Sequence, residues 1–395
     1  MLDRGRCAAG QRVSELDPAE LIDRLDRGLS LWRAPSSPWL ARLAKEHGGF
    51  SPEVISVGVT LGLAHWSGGA MAALREHELA EPCWVPRVTA IWLAGSVPTA
   101  AFAALLLPLL TGSRVWAKPA SADRVTPALF AESLSAVGLA ETLRIGSERE
   151  VLQEADCVVA YGRDETIESV RRRLPASKIF VGYGHKLSLA AIGPHAKIDQ
   201  ATRELALDLA LWDGRGCLSP AYALVLDEPR GRAASFAAEL AQALEHCEHE
   251  LPRGLLEPIE EAGIREQRAL AALRADTRVW MSEKSTAWTV AYEPGGALPS
   301  PGALRFARVV ALRNLSELGE RCRELSPHLS CIGHCGWDGD EAEVAAIAAS
   351  AGASRVCALG RMQLPPIDWN HDGMSPLRPM LRLTDVESTD GKRVE

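Results

Sequence analysis

The chain has no surplus of positive charge. Its 43 Lys and Arg are outweighed by 51 Asp and Glu, giving a formal net charge of −8. A protein built to neutralise phosphates carries a basic face, so nucleic acid is excluded as its main partner. Clustered cysteine is also lacking. Nine cysteines are scattered over 395 residues, which excludes a disulfide-stapled scaffold. Met1-Leu2-Asp3-Arg4 does not open a signal peptide, so a reducing cytoplasm is expected. There are no internal repeats and no low-complexity linkers. One long apolar run does occur, Val88 to Gly112. It could span a bilayer, but Gly95, Ser96 and Pro98 break it early and Pro108 interrupts it again. A strand, a tight turn and a buried helix account for it better than a membrane span.

What is present reads as a soluble globular protein: 47% hydrophobic and 24% charged residues, at a length that favours two domains. Residues 1 to about 86 alternate helical pattern with Pro, Gly and Ser punctuation, as in Ala34-Pro35-Ser36-Ser37-Pro38, and are expected to form a mostly helical cover. From 88 the rhythm changes to strands at 88–94, 114–117, 157–161, 178–182 and 189–192, with helices at 99–110, 124–137 and 164–174 between them. That alternation predicts a doubly wound parallel sheet with ligands at the carboxyl ends of its strands. After residue 217 a second α/β unit is expected: strands 222–226, 288–292, 306–312, 328–333 and 354–358, and helices 232–249, 254–274, 315–324 and 339–350. A Pro-rich loop and a tail strand at 380–386 close the chain.

The segment that carries chemistry is Gly214-Arg215-Gly216-Cys217-Leu218-Ser219-Pro220. It follows a helical pattern at 201–212. A thiol in a glycine-loosened loop after a helix can be approached by a carbonyl, and backbone N–H groups there can lower its pKa and hold an oxyanion. Three further segments precede it in order: Leu93-Ala94-Gly95-Ser96-Val97-Pro98, Trp116-Ala117-Lys118-Pro119-Ala120-Ser121, and Phe180-Val181-Gly182-Tyr183-Gly184-His185-Lys186-Leu187-Ser188.

This order and spacing resemble the aldehyde dehydrogenase superfamily. The forms Tyr-Gly-His-Lys-x-Ser and Gly-Cys-Leu-Ser-Pro resemble its fatty-acyl-CoA reductase branch, over about residues 50 to 386, and Gly-Arg-Met-Gln-Leu-Pro-Pro at 360–366 fits as well. The resemblance implies two doubly wound α/β domains with the active site between them. A helical cover plus dinucleotide-binding domain is expected at 1–187, a catalytic domain at 188–365 and a C-terminal loop and tail strand at 366–395. It implies NADPH-dependent reduction of an acyl thioester, acyl-CoA or acyl-carrier protein, to an aldehyde through an acyl group on Cys217. The tail strand would pair with a neighbouring subunit in a homodimer.

Residue by residue, the resemblance gives Cys217 the role of nucleophile, Ser96 that of an oxyanion donor where the superfamily usually has asparagine, and His185 that of a proton donor or relay. Lys118 ends a strand and can reach a ribose or phosphate. Ser121 stands where a ribose-binding carboxylate often follows, with Arg124 three residues on, which favours a 2′-phosphate and hence NADPH. Gly162 and Arg163 open a helix able to hold a pyrophosphate, although an ordinary strand-to-helix turn with Asp164 near the cap reads equally well. Gly182 takes the place of the glutamate that activates water in aldehyde-oxidising members, and no acidic residue lies between 178 and 195. Leu304-Arg305-Phe306 lies where a glutamate for the nicotinamide ribose would be. Trp212 is a candidate wall of the acyl pocket.

Other readings stay open. The same acyl-cysteine could serve an acyltransferase without hydride transfer, and Ser96 favours a non-catalytic acyl- or partner-binding protein. Cys331-Ile332-Gly333-His334-Cys335, with Cys322 and His328, invites a zinc reading. Its residues fall on or beside a predicted strand where neighbours face opposite ways, so no metal is expected. Asn370-His371-Asp372-Gly373 reads as a turn or as a loop over the substrate channel, with His371 as a pocket residue. Arg171-Arg172-Arg173 reads as a solvated helix end or as a contact for an acidic carrier protein.

Overall fold

The computed structural model describes residues 16–34, 36–95, 97–295 and 298–387. The chain opens with four helices: α1 (Pro18–Arg33), α2 (Pro38–Glu46), α3 (Pro52–Gly62) and α4 (Gly68–Glu78). Their starts are written locally. Asp17, Ser37, Ser51 and Ser67 each accept a backbone N–H from the first turn, and a proline begins three of the four helices. Such caps satisfy donors that a helix start leaves unpaired, and proline has no N–H to lose there.

The first α/β unit comprises β1 (Cys83–Trp84), β2 (Val88–Trp92), α5 (Pro98–Thr111), β3 (Arg114–Lys118), α6 (Val125–Ala136), β4 (Leu143–Ile145), α7 (Glu148–Glu154), β5 (Cys157–Tyr161), α8 (Asp164–Arg172) and β6 (Ile179–Tyr183). Five strands form a parallel sheet in the order β4-β3-β2-β5-β6. The order reverses between β2 and β5, which opens a crevice at their carboxyl ends where ligands bind in doubly wound sheets. The apolar run at 88–112 is divided here into a fully buried strand and a core helix. No described helix is long and apolar enough to cross a membrane.

The second unit comprises β7 (Leu187–Ile192), α9 (Ile198–Ala210), β8 (Pro220–Leu226), α10 (Arg232–Glu250), α11 (Pro258–Ala272), β9 (Arg278–Met281), β10 (Thr289–Glu293), β11 (Phe306–Leu312), α12 (Leu315–Leu325), β12 (Leu329–Cys335), α13 (Glu341–Ser350) and β13 (Arg355–Ala358). Its seven-stranded sheet runs β13-β12-β7-β8-β11-β10-β9, parallel except for β9. The chain changes sheets in the short stretch between Tyr183 and Leu187.

Four elements were missing from the sequence expectation. β1 and β4 are two and three residues long, α7 is short, and β9 has a mixed exposed and half-buried pattern without strict alternation. The tail strand expected over 380–386 is only β14 (Arg382–Leu383), and it pairs antiparallel with β1 of its own chain.

A buried ion pair fixes the passage from α9 to β8. Trp212, Asp213 and Gly214 have φ of 61°, 53° and 75°. Left-handed backbone costs a non-glycine residue about 1–2 kcal/mol, so the turn must be held from outside. The Arg305 guanidinium, itself fully buried, lies 2.6 Å from Asp213 and 2.7 Å from Glu248, and it donates to the carbonyls of Leu251 and Ala210. The Trp212 ring presses on α3 so closely that a Cβ on Gly58 would stand 2.5 Å from it.

Arg305→Met is expected to cost about 3–5 kcal/mol, because it strands the Asp213 carboxylate without its cation. Urea unfolding of the single variant and of Arg305→Met/Asp213→Leu checks this. The double variant should recover most of the loss.

Candidate active site

Where the two sheets face each other lies a cavity of about 640 Å³. The dinucleotide-type unit contributes Ala94, Gly95, Val97, Gly162 and Arg163 to its wall; the second unit contributes Gly216, Cys217 and Leu218. The two walls meet closely. A Cβ on Gly216 would lie 3.8 Å from Val97 Cγ2 and 3.4 Å from Gln363 Oε1, so the turn after β2 sits against the cysteine loop.

Cys217 is half-buried in a tight turn, with the Ser219 N–H donating to the Gly216 carbonyl. The Ser188 hydroxyl donates to the Cys217 carbonyl at 2.7 Å, tying the loop to β7. A second tie comes from the C-terminal side. Asp208 on α9 accepts the Gly360 and Met362 N–H groups at 2.7 and 3.0 Å, which aims Gln363 so that its Nε2 donates to Ser219 Oγ at 2.8 Å. Burial pushes the Asp208 carboxyl up to about 7 against those hydrogen bonds. Arg215 lines the cavity and makes a bidentate pair with Glu260.

Electrostatics around the sulfur are mixed. Burial pushes the Cys217 thiol up to about 12, with the Asp372 carboxylate adding to the rise. The backbone N–H groups of Cys217 and Leu218, and the Lys186 ammonium, act the other way. At neutral pH the resting group is the thiol. The same N–H groups are the donors available to a carbonyl oxygen brought to the sulfur.

One side of the cavity is apolar. Thr99, Ala100, Ala103 and Leu107 face it from α5, at i, i+1, i+4 and i+8, and Gly62, Trp66, Trp212 and Phe306 continue the wall. Small residues on a helix face leave a slot against the buried tryptophans. Trp212 thus lines the cavity as the sequence led us to expect.

The cofactor candidates lie at the carboxyl edge of the first sheet. Lys118 ends β3 opposite Trp92, with its ammonium 4.4 Å from the Trp92 ring centroid. Burial lowers its pKa, and the nearby Arg124 charge adds to that. Ser121 and Arg124 are exposed. The one carboxylate in this turn, Asp123, is buried and accepts the Val125 and Thr126 N–H groups. Gly162 (φ 158°) has Thr166 and Ala94 within 3.4–3.6 Å of where a Cβ would sit. Arg163 precedes α8 and offers no side-chain cap. Asp164 does not cap α8 either; its carboxylate accepts the His185 N–H at 2.9 Å, and a Cβ on Gly184 would meet it at 2.5 Å.

His185 is exposed at the cavity edge, its ring 5.9 Å from that of His328. Ser96 lies outside the described residues. Arg305 is consumed by the buried ion pair and offers nothing to a ribose. His371 does line the cavity, stacked against Tyr183 at 4.3 Å and Trp369 at 4.9 Å. Sequence reasoning missed the charge that its neighbour Asp372 brings to the surroundings of Cys217. Nothing in a turn motif reports which distant loop it faces.

The chain is similar to long-chain acyl-protein thioester reductase 2 of Photobacterium leiognathi (23% identical, covering 75% of this chain and 63% of that one). It is also similar to the long-chain acyl-protein thioester reductase of Aliivibrio fischeri (22% identical, 77% and 67%). It thus spans about two thirds of the length of these relatives. Among solved structures it shares its fold with an oxidoreductase from Marinobacter aquaeolei (TM-score 0.74, 14% identical, 96% of this chain and 87% of that one). An aldehyde dehydrogenase from Brucella melitensis biovar abortus 2308 gives a TM-score of 0.73 at 12% identity, with 94% and 85% covered. Residues 76–383 match the acyl-CoA reductase (LuxC) family, and the chain belongs to that family, built on the aldehyde dehydrogenase fold.

Proposed function

We propose that the chain reduces an acyl thioester, delivered as acyl-CoA or on a carrier protein, to an aldehyde with NADPH, through an acyl group held on Cys217. The observation that carries this reading is the single cavity. It joins the crevice at the carboxyl ends of the first sheet to Cys217 and runs on along the apolar face of α5. A dinucleotide, a reactive sulfur and an alkyl chain each have a wall suited to them.

The residues present fit a nicotinamide dinucleotide. Gly162 lines the cavity at the switch point just before α8, and Lys118 and Arg124 place two cations near each other whose repulsion a phosphate would relieve. Asp123, the carboxylate of this turn, is buried and committed to the N–H groups that start α6, which leaves it turned from a 2′-phosphate at the exposed Ser121 and Arg124. When bound, the nicotinamide supplies the hydride.

The chain's own residues do the rest. Ser188 and Gln363 hold the loop so that Cys217 faces the cavity. The sulfur attacks the thioester carbonyl, and the N–H groups of Cys217 and Leu218 receive the oxygen as charge develops on it. The departing thiol leaves the acyl group on Cys217. Trp66, Trp212 and the small residues of α5 hold the alkyl chain and keep water away. Gly182 brings no carboxylate to activate water, so the acyl group persists long enough to be reduced. His185, exposed at the rim, can pass protons to solvent. The reading includes a cytoplasmic setting and a homodimer, the latter supported by the exposed Trp84 and Leu383 of the β1–β14 ribbon.

Incubation with an acyl-CoA should add one acyl mass to Cys217, and NADPH should then be consumed as aldehyde appears. Cys217→Ala should show neither. An adduct without nicotinamide oxidation would mean an acyltransferase, and no adduct would mean a binding protein. In steady-state kinetics Arg124→Ala should raise KM for NADPH about tenfold, the worth of one charge-assisted contact of ~1.4 kcal/mol. KM for NADH should stay within about twofold.

A further inference from the structure

The cysteine loop leaves one hydrogen-bond donor unspent. The Ser219 N–H donates to the Gly216 carbonyl at 3.0 Å, which closes a four-residue turn with Cys217 and Leu218 at its corners. Ser219 is 9% exposed and Gln363 is 4% exposed, and both line the cavity. The Gln363 amide can be oriented in one way only: its nitrogen lies 3.1 Å from the Asp208 carbonyl oxygen, which can only accept. The same nitrogen donates to Ser219 Oγ at 2.8 Å. Ser219 is therefore the acceptor in that bond and keeps its own hydrogen. No hydrogen bond among the described residues takes that hydrogen up. The backbone on either side of Gln363 is fixed as well. Arg355 donates to the Met362 carbonyl at 2.6 Å and to the Leu364 carbonyl at 3.3 Å, and Asp208 accepts the Met362 N–H.

Across the turn from Ser219 lies a small recess. The Gly216 backbone is outside the left-handed region, so conformation does not demand glycine there. Neighbouring atoms do not demand it either. A Cβ at 216 would stand 3.4 Å from Gln363 Oε1 and 3.8 Å from both Ser219 Oγ and Val97 Cγ2, which are ordinary contact distances. The recess is thus walled by a hydroxyl, an amide oxygen and a methyl group, and it adjoins the peptide that carries the Cys217 N–H. It has room for one incoming atom beside the Ser219 hydroxyl. The Gln363 oxygen repels an incoming oxygen, which leaves the Ser219 side for it.

We propose that Ser219 is a catalytic residue: its hydroxyl, oriented by Gln363, donates to the carbonyl oxygen of the acyl thioester seated in the recess at Gly216. The proposal rests on Cys217 as acyl acceptor and deepens that reading. As the bond from Cys217 Sγ to the carbonyl carbon forms, the thiol proton leaves to solvent and the carbonyl π pair moves onto oxygen. The Ser219 O–H then joins the Cys217 and Leu218 N–H groups in holding that charge, and a fixed donor in a site shielded from water holds it better than solvent does. When the pair returns, the bond to the substrate sulfur breaks and the departing thiolate takes a proton from solvent. Acyl thioester plus Cys217 thiol give acyl-Cys217 plus free thiol, with nothing oxidised or reduced. Ser219 keeps its proton throughout. Gln363 is a positioning residue, which occupies the acceptor side of Ser219 and so turns the hydrogen toward the recess.

The test follows acylation of the full chain by an acyl-CoA without nicotinamide, read by rapid-quench intact-protein mass. Ser219→Ala should slow acylation about 100-fold, the scale of one lost oxyanion donor. Gly216→Ala should slow it as much, because its methyl group fills the recess while the fold admits it. Gln363→Met should slow it about tenfold, the scale of one hydrogen bond. Iodoacetamide alkylation of Cys217, read by peptide mass spectrometry, develops no charged oxygen, so it should stay within about twofold of wild type in all three variants. A loss of loop structure would slow both reactions together. Acylation within about threefold of wild type in Ser219→Ala, or alkylation that falls in step with acylation, overturns the proposal and leaves the reductase reading intact. If Ser219→Ala does not fold, Gly216→Ala decides by the same two measurements. A wild-type adduct without nicotinamide oxidation removes hydride transfer alone, and a wild-type chain that forms no adduct with any thioester sinks both.

Discussion

The contact between Asp213 and Arg305 holds the turn that leads the chain into the Cys217 loop. Both side chains are buried, and a lone charge there would be intolerable, so each is present on condition of the other. The pair holds three consecutive residues in left-handed backbone, and that turn redirects the chain from the end of α9 into the cysteine loop. Because Arg305 immediately precedes β11, the loop is referenced to the centre of the seven-stranded sheet. Because Trp212 presses on Gly58 and meets Phe50 edge-on at 5.4 Å, it is referenced to the helical cover as well. A sulfur fixed by two bodies at once can face a cavity between two sheets without a flexible loop to carry it there.

Placing the sulfur in a dry site has a chemical consequence. Desolvation favours the neutral thiol, and Asp372 favours it further. A free thiolate would be open to oxidation and to stray electrophiles; a resting thiol is not. On the reading proposed above, the cost is that the proton must go somewhere when an acyl group arrives, and the Cys217 and Leu218 N–H groups and Lys186 lower that cost without removing it.

Much of the fold was legible because its signals are local. Ser or Asp caps announced the N-terminal helices, three with a proline after the cap. Buried β-branched runs announced β2, β5, β8 and β11 within two residues of their ends. Cys217 was legible because two glycines flank Arg215 beside it, and Gly214 does adopt positive φ. Elements with few residues or no clean periodicity, such as β1, β4, α7 and β9, gave no such signal; they are defined by pairing and packing. Asp164 does sit beside the cap, as the first residue of α8, but its carboxylate takes the His185 N–H of the incoming 184–185 backbone, a long-range contact that local sequence does not announce. Arg305 looked like a place near the cofactor and proved to be an internal strut. Asp372 was visible as a turn residue, while its influence on Cys217 arises only once the loop after the second sheet folds back across β5 and β6.

The lack of a glutamate at position 182 is not simply a deletion. A Cβ on Gly182 would meet Ile167 Cγ2 at 2.7 Å and Phe180 Cε1 at 3.1 Å. Ile167 comes from α8, the helix that opens at the switch point, so a side chain at 182 would have to displace the Ile167 and Phe180 side chains. Asp372, from the opposite end of the sequence and on a turn clamped by aromatic rings, is the carboxylate whose charge acts on the Cys217 thiol, so in this chain negative charge comes to the sulfur's surroundings from the loop after the second sheet and not from β6.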